Sequence, residues 1–121
     1  MDVHVAISTT NLDTSIHFYT QLGFMTKRRY RHQTLDGEWA IMHKNGFTLE
    51  LFCVQNTTTP QNTLPMTSAG LHHVGIEVDS IDVTLNKLQK EAKIHSGTAV
   101  HRYAFITDPD NTLIELFEAK Q

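Results

Sequence analysis

The sequence predicts an α+β protein of two βαβββ modules, whose eight strands would form a curved mixed sheet with the helices outside. Three observations predict it. HVAI (residues 4–7) returns as HVGI (73–76), and LELF (49–52) returns as IELF (114–117), so the chain repeats itself. Leu12, Asp13 and Ile16 recur as Ile81, Asp82 and Leu85, which places a similar helix after the opening strand of each half. Between the halves lies QNTTTPQNTLPMTSAG (55–70), whose Thr, Asn, Pro and Gly content marks a linker. The expected division is therefore a first module over 1–54, a linker over 55–70 and a second module over 71–121, together one domain.

Each half opens on a short alternating strand, at 2–8 and 72–78. The first helix has Asn11 as its cap, apolar Leu12, Ile16 and Tyr19 at helical spacing, and Gly23 as its stop. The second begins after Asp79 or Ser80 and carries Ile81, Leu85, Leu88 and Ala92 on one face. KNG (44–46) is a tight-hairpin signal feeding a strand over 47–54. DPDN (108–111) turns the second half into its last strand, 112–118, with Pro109 and Asn111 suited to turn positions.

The chain has 121 residues, 40% hydrophobic and 19% charged, which is ordinary for a globular protein. Its formal charge of -3 argues against a nucleic-acid partner, which calls for a basic surface. The one basic cluster, KRRYR (27–31), reads first as a solvated edge strand whose charges discourage aggregation, and second as a rim that attracts an anionic small molecule. Cys53 is the sole cysteine, so neither an intrachain disulfide nor a thiolate metal cage is available. In LELFCV it reads as a small buried hydrophobe. No basic-then-apolar leader opens the chain, and no apolar run approaches the ~20 residues that span a bilayer. A cytoplasmic enzyme or binding protein is the expectation.

Strand parity singles out four residues. Side chains alternate across a strand, so Val3, Val5 and Ile7 share the helix side while His4, Ala6 and Ser8 share the other. In the second half Val74, Ile76 and Val78 match the first set, and His73, Gly75 and Glu77 match the second. His73, not its neighbour His72, is thus the counterpart of His4. Glu50 and Glu115 take the same side in the closing strands, each beside a phenylalanine, Phe52 or Phe117. A lone strand histidine is usually a surface or satisfied residue, and a glutamate in an amphipathic strand usually faces water. Recurrence of all four at matched positions changes that weighing. An uncompensated carboxylate among apolar neighbours costs several kcal/mol, about the amount that a bound cation would offset. Two imidazoles and two carboxylates suit a divalent first-row metal with positions left for water or substrate. The other histidines (17, 32, 43, 72, 95 and 101) have no repeat partner and are taken as surface or rim residues.

The paired βαβββ grammar, with H-V-x-I opening each half and LELF or IELF closing it, resembles the vicinal oxygen chelate superfamily. FYTQLGF (18–24), VDSID (78–82) and DPDN strengthen the resemblance, which covers nearly the whole chain. It is most similar to small bacterial glyoxalase I-like proteins. The resemblance implies the glyoxalase/bleomycin resistance/dihydroxybiphenyl dioxygenase fold and carries the family's four metal positions onto His4, Glu50, His73 and Glu115. A full four-ligand set looks like glyoxalase I, whereas extradiol dioxygenases and fosfomycin-modifying transferases use two histidines and one glutamate. The implied activity is a metal-dependent (Ni, Zn, Co or Mn) lyase or isomerase, lactoylglutathione lyase-like. It would move a proton on a small metal-chelated oxygenated substrate such as a thiol hemithioacetal of a 2-oxoaldehyde. Glu115 is favoured as the catalytic base, with Glu50 its counterpart.

Two departures separate the chain from glutathione-using glyoxalases. The arginine common four residues after the first ligand is Ser8 here, and the asparagine four after the second is Val54. Arg102 and Tyr103, with the basic strand 27–31, are the alternative anchors for an anionic substrate. The competing readings are a metal-free, bleomycin-resistance-like binding protein, and a fosfomycin-type thiol transferase or extradiol dioxygenase. The family also implies a homodimer with a small-molecule substrate.

Overall fold

Both helices begin where the sequence supplies a capping side chain. The Asn11 amide oxygen accepts from the Thr14 N–H at 3.1 Å and starts α1 (Leu12–Gln21). Ser80 Oγ accepts from the Val83 N–H at 3.2 Å and starts α2 (Ile81–Leu88). Helix α1 stops as expected, with Gly23 left-handed at φ +98°. Helix α2 stops earlier than expected, because Gln89 takes the left-handed cap at φ 55° and Ala92 falls beyond the helix.

In this computed structural model, which describes residues 3–97 and 100–119, the chain divides into two compact units, Met1–Thr59 and Pro60–Gln121. Their boundary falls inside the segment 55–70, which contains neither helix nor strand. The first unit is β1 (His4–Ser8), α1, β2 (Met25–Arg31), β3 (Gly37–Lys44) and β4 (Phe47–Val54). Its strands lie in the order β1-β4-β3-β2, with β1 parallel to β4 and the other pairs antiparallel. The second unit repeats the plan with β5 (Val74–Glu77), α2, β6 (Ile94–His95), β7 (Arg102–Thr107) and β8 (Leu113–Glu118), in the order β5-β8-β7-β6. The class is α+β and each unit is βαβββ; the eight strands are shared four and four between two mixed sheets. The expected opening strand 72–78 shortens to β5, and the last strand starts at Leu113 rather than Thr112. The expected start at Asp2 lies outside the described residues.

Turn chemistry follows the sequence. Asn45 and Gly46 have φ of 48° and 80° in the β3–β4 hairpin, as its KNG signal requires. At DPDN the buried Asp108 accepts from the N–H groups of Asp110 and Thr112, both at 2.9 Å, and Asn111 turns the chain at φ 65°. Each sheet packs one face on its own helix. In the first unit Met42, Leu49 and Leu51 are sealed with Leu12, Phe18 and Tyr19; in the second, Ile114 and Leu116 with Ile81 and Leu85. Glu118, the acid that follows IELF, is buried there and accepts from the Ile81 N–H at 2.7 Å, so β8 caps the start of α2. Among the described residues no helix is long and apolar enough to cross a membrane.

Gly37 shows how closely β3 and β4 approach. A Cβ there would lie 2.5 Å from the Cys53 carbonyl oxygen and 2.9 Å from a Val54 methyl. Gly37→Ala is therefore expected to cost roughly 1–3 kcal/mol, the usual range for overpacking. Urea unfolding would read it as a lower midpoint at unchanged slope.

Candidate functional site

Burial alternates along β1 as parity requires. Ile7 is buried and Val5 half-buried towards α1, whereas His4, Ala6 and Ser8 are exposed on the other face. The register sets Ala6 beside Glu50 and His4 beside Thr48. From there His4 Nε2 comes to 3.4 Å from Glu50 Oε2. In the second unit His73 immediately precedes β5, Gly75 is the partner of Glu115, and His73 Nε2 lies 4.0 Å from Glu115 Oε1. Each unit thus gathers one imidazole and one carboxylate. The carboxylates are half-buried rather than sealed, with 20% and 24% of the Glu50 and Glu115 side chains exposed. The penalty that strand parity alone assigned to them is correspondingly smaller.

Two donors bound at 2.0–2.2 Å to one first-row ion stand about 3–3.5 Å apart. The His4–Glu50 pair has that spacing already, and the His73–Glu115 pair needs to close by about half an ångström. Gly75 leaves space for the adjustment: a Cβ on it would lie 3.3 Å from Glu115 Oε1. In the first unit Ala6 occupies the equivalent position. The donor set fits a divalent metal in chemistry and in pair spacing. Among the described residues no group of three or more His, Cys, Asp or Glu side chains stands close enough to hold an ion.

His72, set aside with the unmatched histidines, lies against His73. Its Nδ1 lies 2.9 Å from Nδ1 of His73, with the rings edge to face, so one proton is shared between them. When that proton sits on His73, Nε2 of His73 carries the lone pair a metal needs. The doublet HH was the available signal, but parity places the two side chains on opposite faces of a regular strand. They meet because β5 begins only at Val74. Of the other histidines set aside, His17 and His101 are exposed; His32, His43 and His95 are half-buried, and His95 stacks on Tyr103 at 5.1 Å.

Arg102 and Tyr103 part company. Tyr103 pairs with Phe117 on the Glu115 face. Arg102 lies on the opposite, helix-facing side, where Nη1 sits 3.1 Å from Asp82 and 3.8 Å from Glu118. One residue of strand pleat thus sets the Arg102 guanidinium against Asp82 and Glu118 rather than beside Glu115. The basic strand β2 is an edge strand, as its first reading had it. Arg29 reaches Asp13 at 2.6 Å and Glu38 at 3.1 Å, and those two hydrogen bonds, Asp13's foremost, hold its guanidinium above its ordinary pKa. Arg31 pairs with Asp36.

A family model described as the Glyoxalase/Bleomycin resistance protein/Dioxygenase superfamily matches residues 3–116. The chain belongs to that superfamily. It is similar to Glyoxylase I 4 of Arabidopsis thaliana, 26% identical over 122 residues that cover 93% of this chain and 67% of that protein. Among solved structures, a glyoxalase family protein from Enterococcus faecalis superposes with a TM-score of 0.75 at 25% identity, covering 95% of this chain and 94% of that one. The fosfomycin resistance protein FosX from Listeria monocytogenes, complexed with Mn(II) and sulfate, superposes with a TM-score of 0.70 at 16% identity, covering 98% and 91%. That last likeness is one of fold.

Proposed function

We propose that this superfamily member is a divalent-metal-dependent, glyoxalase I-like lyase or isomerase, moving a proton between adjacent carbons of a small substrate with vicinal oxygens. The observation that carries the reading is the His–Glu pair found at matched sequence positions in each unit, 3.4 Å apart in one and 4.0 Å in the other. The ligands proposed are His4, Glu50, His73 and Glu115, the four positions that the family resemblance singles out. When bound, Ni, Co, Mn or Zn supplies Lewis-acid polarisation of the substrate oxygens. Glu115 takes a proton from one substrate carbon onto a carboxylate oxygen and returns it to the neighbouring carbon. Its side chain lies over Gly75, which leaves it room to swing. Glu50, beside Ala6 and closer to its histidine, stays paired. The substrate class is a hemithioacetal of a 2-oxoaldehyde, and the working form is a homodimer, which would cover exposed sheet edges.

Metal content tests the proposal. Wild type and Glu50→Gln are dialysed against mixed Ni²⁺, Co²⁺, Mn²⁺ and Zn²⁺ and analysed by mass spectrometry. Wild type is expected to keep about one ion per chain, and Glu50→Gln to hold it at least about tenfold more weakly, since even outer partners of a ligand matter that much. A wild type that retains no ion overturns the proposal in favour of a metal-free binding protein.

A further inference from the structure

We infer that Arg28 anchors an anionic group, a phosphate or a carboxylate, on a ligand that lies along the Glu50 face of the first sheet. The inference rests on the proposed function only in taking that face as the substrate side.

Register supplies the argument. Ala6 pairs with Glu50, Glu50 with Ile41, and Ile41 with Arg28, so one row crosses all four strands. Paired residues share a face, and strands lie about 4.8 Å apart, which puts the Arg28 and Glu50 Cα atoms roughly 10 Å apart with Ile41 between them. A break in register sets this up. Thr26 pairs with Met42 and Arg28 with Ile41, so Lys27 is an extra residue. Without that bulge Lys27 would stand opposite Ile41, and Arg28 would turn towards α1. Bulges re-aim side chains in this way and are frequent beside functional sites.

Charge distinguishes Arg28 from its neighbours. The guanidinium groups of Arg29 and Arg31 are taken up by Asp13, Glu38 and Asp36 on the helix side. Arg28 is exposed, and its guanidinium lies over the Tyr30 ring, with Cζ 4.7 Å from the ring centroid. Tyr30 stacks on Trp39 and Trp39 on Phe52, a row of aromatic rings running beside the Glu50–Ile41–Arg28 row. That row holds the guanidinium over a flat floor and leaves its donors for an oxyanion. A small molecule with an oxygen pair at the Glu50 end and an anionic tail at the Arg28 end matches the row.

Trp39, the sole tryptophan of the chain, reports on this face. The metal-free protein is titrated with dihydroxyacetone phosphate and with neutral dihydroxyacetone, following Trp39 fluorescence. Wild type is expected to bind the phosphate ester at least about tenfold more tightly than the neutral compound, the scale of one charge-assisted hydrogen bond. Arg28→Met should remove that preference and Arg28→Lys keep part of it. Arg31→Met, which deletes the same charge from the other face, should change nothing. The inference is overturned if wild type shows no preference, if Arg28→Met keeps it, or if Arg31→Met loses it equally. Since metal retention is measured separately, failure here leaves the proposed metal chemistry standing, and loss of the metal reading leaves this test intact.

Discussion

Glu115→Gln should lower turnover of a 2-oxoaldehyde hemithioacetal by about 10²–10⁴-fold, the usual worth of a positioned general base. Gln keeps the size and one acceptor oxygen but cannot take a proton. Glu50→Gln should act chiefly by weakening metal retention, and its turnover should recover when excess Mn²⁺ or Ni²⁺ is supplied. The distinction is geometric: Glu115 lies over a glycine and 4.0 Å from its histidine, whereas Glu50 faces Ala6 and lies 3.4 Å from His4. Gly75→Ala, whose methyl would meet Glu115 Oε1 at 3.3 Å, should lower turnover too, though by less than loss of the carboxylate. Rates at saturating metal, with several thiols supplying the adduct, decide the matter. A Glu115→Gln enzyme that keeps its rate while Glu50→Gln loses it would exchange the two roles.

What the sequence discloses about this fold follows from how local the cause is. Caps at Asn11 and Ser80 and the Asn45–Gly46 turn are local, and each is found where its residues ask for it. Strand parity is local as well, so the faces carrying Glu50 and Glu115 could be read without a structure. Register between strands is not local. The bulge at Lys27 decides that Arg28, rather than Lys27, shares a face with Glu50, and nothing in KRRYR announces it. Arg102 and Tyr103 read as one anchor until the pairing of β7 with β8 separates them. The end of α2 turned on Gln89, which takes a left-handed backbone that its sequence does not announce. His72 is set aside by parity for a further reason: parity arguments assume a regular strand, and the HH doublet stands just outside one.

His73→Ala should abolish metal retention after dialysis, whereas His72→Ala should weaken it by about 10–100-fold, the range for removing a ligand's hydrogen-bonded partner. The difference comes from the shared Nδ1 proton. His73 presents Nε2 towards Glu115, and its Nδ1 meets Nδ1 of His72 at 2.9 Å. Metal binding calls for the arrangement in which His73 donates from Nδ1 to Nδ1 of His72, which leaves Nε2 as the donor. Without His72 the ring is also freer to turn, held on one side only by the edge-to-face contact with Phe105 at 5.3 Å. His72→Asn, whose amide oxygen can accept the same proton, should restore part of the affinity; His72→Phe keeps the ring bulk and should not. Nitrogen-15 chemical shifts of the metal-free protein give an independent reading, since they show on which of the two rings the Nδ1 proton rests. If His72→Ala released the ion while His73→Ala retained it, the ligand would be His72, and the start of β5 rather than its pleat would decide which histidine binds.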